Sequence, residues 1–274
     1  MQRAELLGVL NALAPLSLAL PWDKSGIQIE SVRKSFSHIA VALDATPFAA
    51  AKAVEIGCDF LLTHHPLTLK PRFTDVLDGY HFVLSALLGG RVLHYAAHTC
   101  LDSLPYGPTV WLADALELKK RSVLEKSGTA PDGSEAGIGC VGTLPVPLDS
   151  EVFLNVMRLY LRHPFVRIGE MPSIVQRIAI CPGSGASLLD AARQAGADVY
   201  VTGDIKYHAA LDANSNVYDR RGPSILDVGH FVLEEEMMRR FAHELAALLP
   251  DMRVSFIPGT EPFILDGVTN ESVS

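Results

Sequence analysis

Gly57-Cys58-Asp59-Phe60-Leu61-Leu62-Thr63-His64-His65-Pro66 reads as the end of a helix, an apolar strand, and two imidazoles released against a proline. The order recurs in Gly196-Ala197-Asp198-Val199-Tyr200-Val201-Thr202, and Ile39-Ala40 is matched by Ile178-Ala179, all at one constant offset of 139 positions. Two readings account for this. The chain holds two similar α/β lobes from a duplication, or any two α/β units share a glycine that stops the helix and an apolar strand after it. Under both, the copies differ at the strand end, where Gly203-Asp204 stands in place of His64-His65.

Working outward, apolar strand-like runs alternate with helical patterns along most of the chain. This predicts an α/β fold of two similar lobes with largely parallel or mixed sheets flanked by helices. Strands are expected at 38–43, 59–63, 91–97, 138–144, 176–181, 198–202, 224–228 and 253–257. Helices are expected at 3–14, 47–56, 79–88, 108–116, 149–161, 186–195, 205–213 and 230–249. Lys126 to Gly139, rich in Gly, Ser, Pro and Ala, breaks the alternation and reads as a linker. The expected organisation is residues 1–126 with 225–266 as a metal-binding lobe, 138–224 as a second lobe, 127–137 as linker and 267–274 as tail.

The 274 residues are 49% hydrophobic and 20% charged, which is globular composition. A net charge of −8 and a pI near 5.7 make general nucleic-acid binding an unexpected role, since duplex binding rests on a Lys/Arg surface. A small anionic substrate stays open, because bound ions can supply the local positive charge. Cys58, Cys100, Cys140 and Cys181 are dispersed and form no C-x-x-C pair, so reduced thiols in a cytoplasmic protein are expected. The apolar stretch from Leu6 to Trp22 is interrupted by Asn11 and Pro15 and is shorter than the roughly 20 residues of a membrane span, so it reads as a buried helix and turn.

His64 and His65 leave a strand at the edge where open α/β sheets bind ligands. Neighbouring side chains on a strand point to opposite faces, so the two imidazoles suit two ions better than one. The plain alternative is that one caps the strand and the other is solvated. Two further strand ends add partners: His98-Thr99-Cys100-Leu101-Asp102 brings an imidazole and a carboxylate, and Gly229-His230 opens a helix. His230 and Glu234 are four residues apart and therefore share one helix face. Mixed His and carboxylate donors favour Zn, Mn, Fe, Co or Ni over Ca or Mg, and the lack of thiolates argues against a structural zinc. Asp44, also at a strand end, is placed to orient a metal-bound histidine. Pro182-Gly183-Ser184-Gly185 reads either as a phosphate cradle or as a tight turn. Lys206 and His208 read either as substrate contacts or as solvated residues. No Gly-x-Ser-x-Gly, Walker A or H-E-x-x-H motif offers another source of reactivity.

Trp22-Asp23-Lys24-Ser25-Gly26-Ile27-Gln28, Leu43-Asp44-Ala45-Thr46, Thr63-His64-His65-Pro66, His98 to Asp102, Thr202-Gly203-Asp204-Ile205-Lys206-Tyr207-His208, and Asp227 through Glu234 occur in this order along nearly the whole chain. Together they resemble the GTP cyclohydrolase 1 type 2 homologue family, also called Nif-three-like. The resemblance implies two divalent transition-metal ions per chain, one held by His64, Asp102 and Glu234 and the other by His65, His230 and Glu234. It also implies a toroidal homohexamer. The expected activity is a metal-dependent hydrolase of a small anionic substrate or a nucleotide such as GTP, with Glu234 bridging and His98 or Asp44 moving protons. The rival expectation is a metal-binding regulatory, chaperone or scaffold protein without turnover.

Overall fold

The computed structural model describes residues 1–214 and 222–264. The expected tail, 267–274, and positions 265 and 266 of the first expected lobe lie outside the described residues. In chain order the elements are α1 (Arg3–Leu13), β1 (Gly26–Ile29), β2 (His38–Ala42), α2 (Pro47–Glu55), β3 (Phe60–Thr63), α3 (Gly79–Gly90), β4 (Leu93–Ala96), α4 (Thr99–Asp102), α5 (Trp111–Ala115) and β5 (Lys119–Thr129). They continue with β6 (Glu135–Asp149), α6 (Ser150–Leu161), β7 (Val166–Ile168), β8 (Ile174–Ser184), α7 (Leu189–Gln194), β9 (Val199–Gly203), α8 (Tyr207–Asn214), β10 (Ser224–Asp227), α9 (His230–Leu248) and β11 (Arg253–Phe256). Among the described residues no helix is long and apolar enough to cross a membrane.

Contacts group Met1–Thr109, Lys126–Ile138 and Glu234–Gly259 into a first unit. It carries a five-stranded sheet in the order β1-β4-β3-β2-β11, parallel except for β1 against β4. Every residue of β2, β3 and β4 is buried, the pattern of parallel strands covered on both faces. The register Ala42↔Thr63↔Ala96 brings three strand ends level, so that Leu43-Asp44, His64-His65 and Ala97-His98 emerge side by side. Both histidine N–H groups donate to the Leu43 carbonyl, at 3.1 and 3.2 Å, and the Ala97 N–H donates to the Thr63 carbonyl at 2.8 Å.

Of the described residues, the second unit joins Val110–Glu125, 139–214 and 222–233 to 260–264. Its sheet runs in the order β5-β6-β8-β9-β10-β7, with β8, β9 and β10 parallel and β6 and β7 antiparallel to their neighbours. Lys126 to Gly139 is not an open linker. It is the end of β5, a turn closed by the Ala130 N–H on the Ser134 carbonyl (2.8 Å), and the start of β6. Its Gly and Ser serve the turn, and the largely exposed flanking strand has no buried face for a hydrophobic pattern to reveal.

The sequence repeat is a repeat of hydrogen bonds. Asp59 accepts from the backbone N–H groups of Ser37 (2.8 Å) and His38 (3.1 Å), and Asp198 from those of Gln176 (2.8 Å) and Arg177 (2.7 Å), the equivalent positions. Each aspartate thereby staples the start of one parallel strand to the start of the next. Gly57 (φ +73°) and Gly196 (φ +69°) take the left-handed turn that ends the preceding helix, a conformation without steric penalty for glycine. The Thr202 carbonyl accepts from Val228 as the Thr63 carbonyl does from Ala97, each at 2.8 Å. None of the four cysteines is in a disulfide, and all four are buried.

Candidate metal centre

In the first unit, the ends of β3 and β4, the short helix α4 and the first turns of α9 bring His64, His65, His98, Asp102 and Glu234 together. His64 is fully buried, and its Nε2 lies 3.6 Å from Asp102 Oδ1 and 3.6 Å from Glu234 Oε1. These distances are too long for hydrogen bonds, and among the described residues neither His64 Nε2 nor Asp102 Oδ1 has a hydrogen-bond partner. Leaving buried polar atoms unpaired is costly. The spacing is that of ligands sharing one ion, since two bonds of about 2.0–2.2 Å hold their donor atoms about 3–3.6 Å apart. The residues present therefore fit a metal ion. Glu234, buried at 3% exposure, turns its other oxygen, Oε2, to within 3.2 Å of His65 Nε2. Ligand atoms of His64, His65 and His98 lie within 4.8 Å of one another. So do those of His230 and Glu234, one turn apart on α9.

Each imidazole is held by its Nδ1. His64 meets the Ala97 carbonyl (2.9 Å), His65 Asp44 (2.8 Å), His98 Asp23 (2.8 Å) and His230 Asp204 (2.7 Å). With the Nδ1 proton on these acceptors, the neutral ring presents its Nε2 lone pair, the arrangement of a metal-ligating histidine. Asp23 and Asp204 stood in the quoted motifs without a role. Their partnership with the histidines is tertiary and leaves no local pattern. Asp204 has φ +58°, and Gly203 before it has no room for a side chain: a Cβ there would lie 2.6 Å from the Gly229 carbon and the His230 nitrogen. The bare strand end thus lets the first turn of α9 approach closely enough for Asp204 to reach His230.

The electrostatics follow from crowding carboxylates and imidazoles away from water. Burial disfavours a charged His64, yet Asp102 and Glu234 more than offset this and hold its pKa above the ordinary histidine value. Burial likewise opposes a charge on His65, but the hydrogen bonds to Asp44 and Glu234 carry it up to about 10. Burial pushes the Asp102 carboxyl up, against the pull of His64. The crowded carboxylates that favour a proton on these imidazoles would favour a metal cation for the same electrostatic reason.

The sequence profile of Duf34/NIF3 (NGG1p interacting factor 3) matches residues 1–262. The chain belongs to the Duf34/NIF3 family. The GTP cyclohydrolase 1 type 2 homolog of Clostridium perfringens is similar to it at 32% identity over 265 residues, covering 95% of this chain and 97% of the relative. That of Streptococcus pneumoniae is 29% identical and covers 91% of this chain and 90% of the relative. Among solved structures, the Bacillus cereus protein related to NIF3 superposes with a TM-score of 0.86 at 21% identity, covering 97% of this chain and 99% of that one. Reduced HcgD from Methanocaldococcus jannaschii gives 0.80 at 25% identity, covering 93% and 97%.

The remaining sequence-nominated residues of this Duf34/NIF3 chain lie in the second unit. Gly183 and Ser184 lie in β8 itself, and Ser184 pairs with Gly203. The Gly183 carbonyl accepts from the Thr202 hydroxyl at 3.4 Å and that of Gly185 from the buried Tyr200 hydroxyl at 2.8 Å. Lys206 and His208 are exposed at the start of α8, where the His208 and Tyr207 rings meet edge-on at 5.4 Å.

Proposed function

We propose that this Duf34/NIF3 protein is a dinuclear metal-dependent hydrolase acting on a small anionic substrate of the nucleotide class. The observation that carries the reading is Glu234, whose two oxygens face different imidazoles, Oε1 toward His64 and Oε2 toward His65. A carboxylate divided in this way suits a bridge between two ions. His64 and Asp102 would complete one ligand set and His65 and His230 the other. The ions, from among Zn, Mn, Fe, Co and Ni, would when bound supply Lewis acidity to the substrate and lower the pKa of water. His98 has its Nδ1 fixed by Asp23, so its other nitrogen can take or return a proton at the reacting centre. Asp44 holds His65 in the ligating tautomer. The nucleotide class is supported by the relatives named GTP cyclohydrolase 1 type 2 homolog. A ring-shaped homohexamer belongs to the same reading and is checked by light scattering.

Elemental analysis of the purified protein should find close to two ions per chain, and a His65→Ala variant should hold fewer; an unchanged ratio refutes the dinuclear assignment. A screen of metal-loaded protein against nucleotides and phosphoesters should then find turnover that Glu234→Ala abolishes. Identical behaviour of both proteins on every substrate would leave a metal-binding scaffold in place of an enzyme.

A further inference from the structure

The turn Trp22-Asp23-Lys24-Ser25-Gly26-Ile27-Gln28 is over-determined by its own polar side chains. Asp23 Oδ1 accepts from the Lys24 N–H (2.6 Å) and His98 Nδ1 (2.8 Å). Its Oδ2 accepts from the hydroxyls of Ser25 and Thr99 (2.6 Å each) and from the Thr99 N–H (3.1 Å). The side chain is fully buried, and these contacts hold its pKa far below the usual carboxylate range even though burial pushes the other way. Gln28 donates to the Lys24 carbonyl at 2.6 Å and accepts from the Leu67 N–H at 3.2 Å, just beyond His65-Pro66. One turn is therefore pinned to both of the loops that deliver imidazoles to the centre.

Out of this pinned turn Trp22 stands 54% exposed, whereas the chain's other tryptophan, Trp111, is 4% exposed. An indole left in water is unusual. Its ring meets His98 edge-on, with centroids 5.7 Å apart and planes at 74°. An edge-on contact covers only part of the indole, and the rest of this half-exposed ring lies beside an imidazole of the metal-site group. A large flat surface at a fixed angle, on a backbone that has no further ordering to undergo, meets the requirements of a stacking platform.

We propose that Trp22 binds the substrate by stacking on a planar heteroaromatic ring, with the group to be attacked lying toward the centre. The proposal rests on the nucleotide reading above in placing substrate there, and it names the contact that would select for a base. The test is calorimetric titration of the full-length, metal-loaded protein with a purine nucleoside 5′-monophosphate and with ribose 5-phosphate. Wild type, Trp22→Ala and Trp22→Phe are compared, each checked for metal content and assembly mass. Wild type should bind the nucleotide about tenfold more tightly or better, the range that base–aromatic stacking provides. Trp22→Ala should bring the two ligands to within about twofold of each other, and Trp22→Phe should keep part of the preference. Ribose 5-phosphate binding and metal content should be the same in all three. The proposal is overturned if wild type shows no ring preference or if Trp22→Ala retains it. It is also overturned if the loss in Trp22→Ala comes with lost metal or altered mass, for then Trp22 supports the centre or a subunit contact. No turnover is read, so an absence of hydrolysis beside an intact ring preference would count against the hydrolase alone.

Discussion

Four carboxylate or carbonyl oxygens decide how four imidazoles present themselves, and that is a property of single residues. Asp44 and Asp204 are about half exposed, so replacing either by Asn should leave the fold standing while loosening the tautomer and aim of its histidine. Metal affinity, read by competition with a chromophoric chelator, should fall about 10–100-fold in each variant, the usual cost of losing such a support. Unchanged affinity in both would show that the aspartates are bystanders. A different histidine contributes to the acid sensitivity. The Thr63 hydroxyl donates to the His65 carbonyl and so accepts from His94 Nε2. Burial lowers the His94 pKa to about 3 from an ordinary 6.5. In that window the unfolded chain binds a proton that the native state refuses, so stability is present above pH 6.5 and drains away as pH falls toward 3. Between pH 7 and 4.5 the loss from this one group is about 2 to 3 kcal/mol. Urea denaturation of His94→Gln should show a pH dependence shallower by that amount, and parallel curves would exclude the assignment.

Between elements, the fit of β9 against the start of α9 is the tightest test of the architecture. Gly203→Ala places a methyl 2.6 Å from backbone atoms of Gly229 and His230, which cannot swing away as a side chain would. It should cost about 1 to 3 kcal/mol, as overpacking does, and weaken metal binding by displacing His230. Gly89→Ala, at an exposed helical position with nothing within 4 Å, is the control and should be neutral or stabilising. If the two variants melt together, the close approach is not a constraint. This scale also shows how far the sequence could be read. All eight strands expected from apolar runs are present, most legibly β2, β3, β4 and β9, whose residues are all buried in parallel pairing and therefore largely apolar. The ones it missed, β1, β5 and β7, are short or lie at sheet edges with exposed residues, where no period survives. Helix α4, four residues long, is too short for a helical period to show in the sequence, although the chemistry of Asp102, its last residue, marks it as a candidate ligand. Asp23 was missed because its partner His98 is 75 positions away, a distance over which sequence spacing carries no signal.

At the scale of the molecule, the proposed ligands gather β3, α4 and α9, elements far apart in the chain, so an ion bound there acts on the folded state alone. At a hundredfold excess over its dissociation constant one such ion contributes about 2.7 kcal/mol. Stripping metal with a chelator should accordingly lower the melting temperature by about 5–10 °C in a chain of this size, and Glu234→Ala should show almost no response. Equal melting with and without chelator would mean that nothing binds. The four buried thiols have a separate use. Cys58 and Cys100 lie in the first unit and Cys140 and Cys181 in the second, and burial pushes the Cys58 thiol up to about 12 and those of Cys100 and Cys140 to about 11. In a folded molecule Cys58, Cys100 and Cys140 therefore offer an alkylating reagent almost no thiolate, and Cys181 is shielded from it by burial. Each labelling event marks an opening, and peptide mapping of the label would time the two units independently, two built-in clocks in each, without adding a probe to the chain.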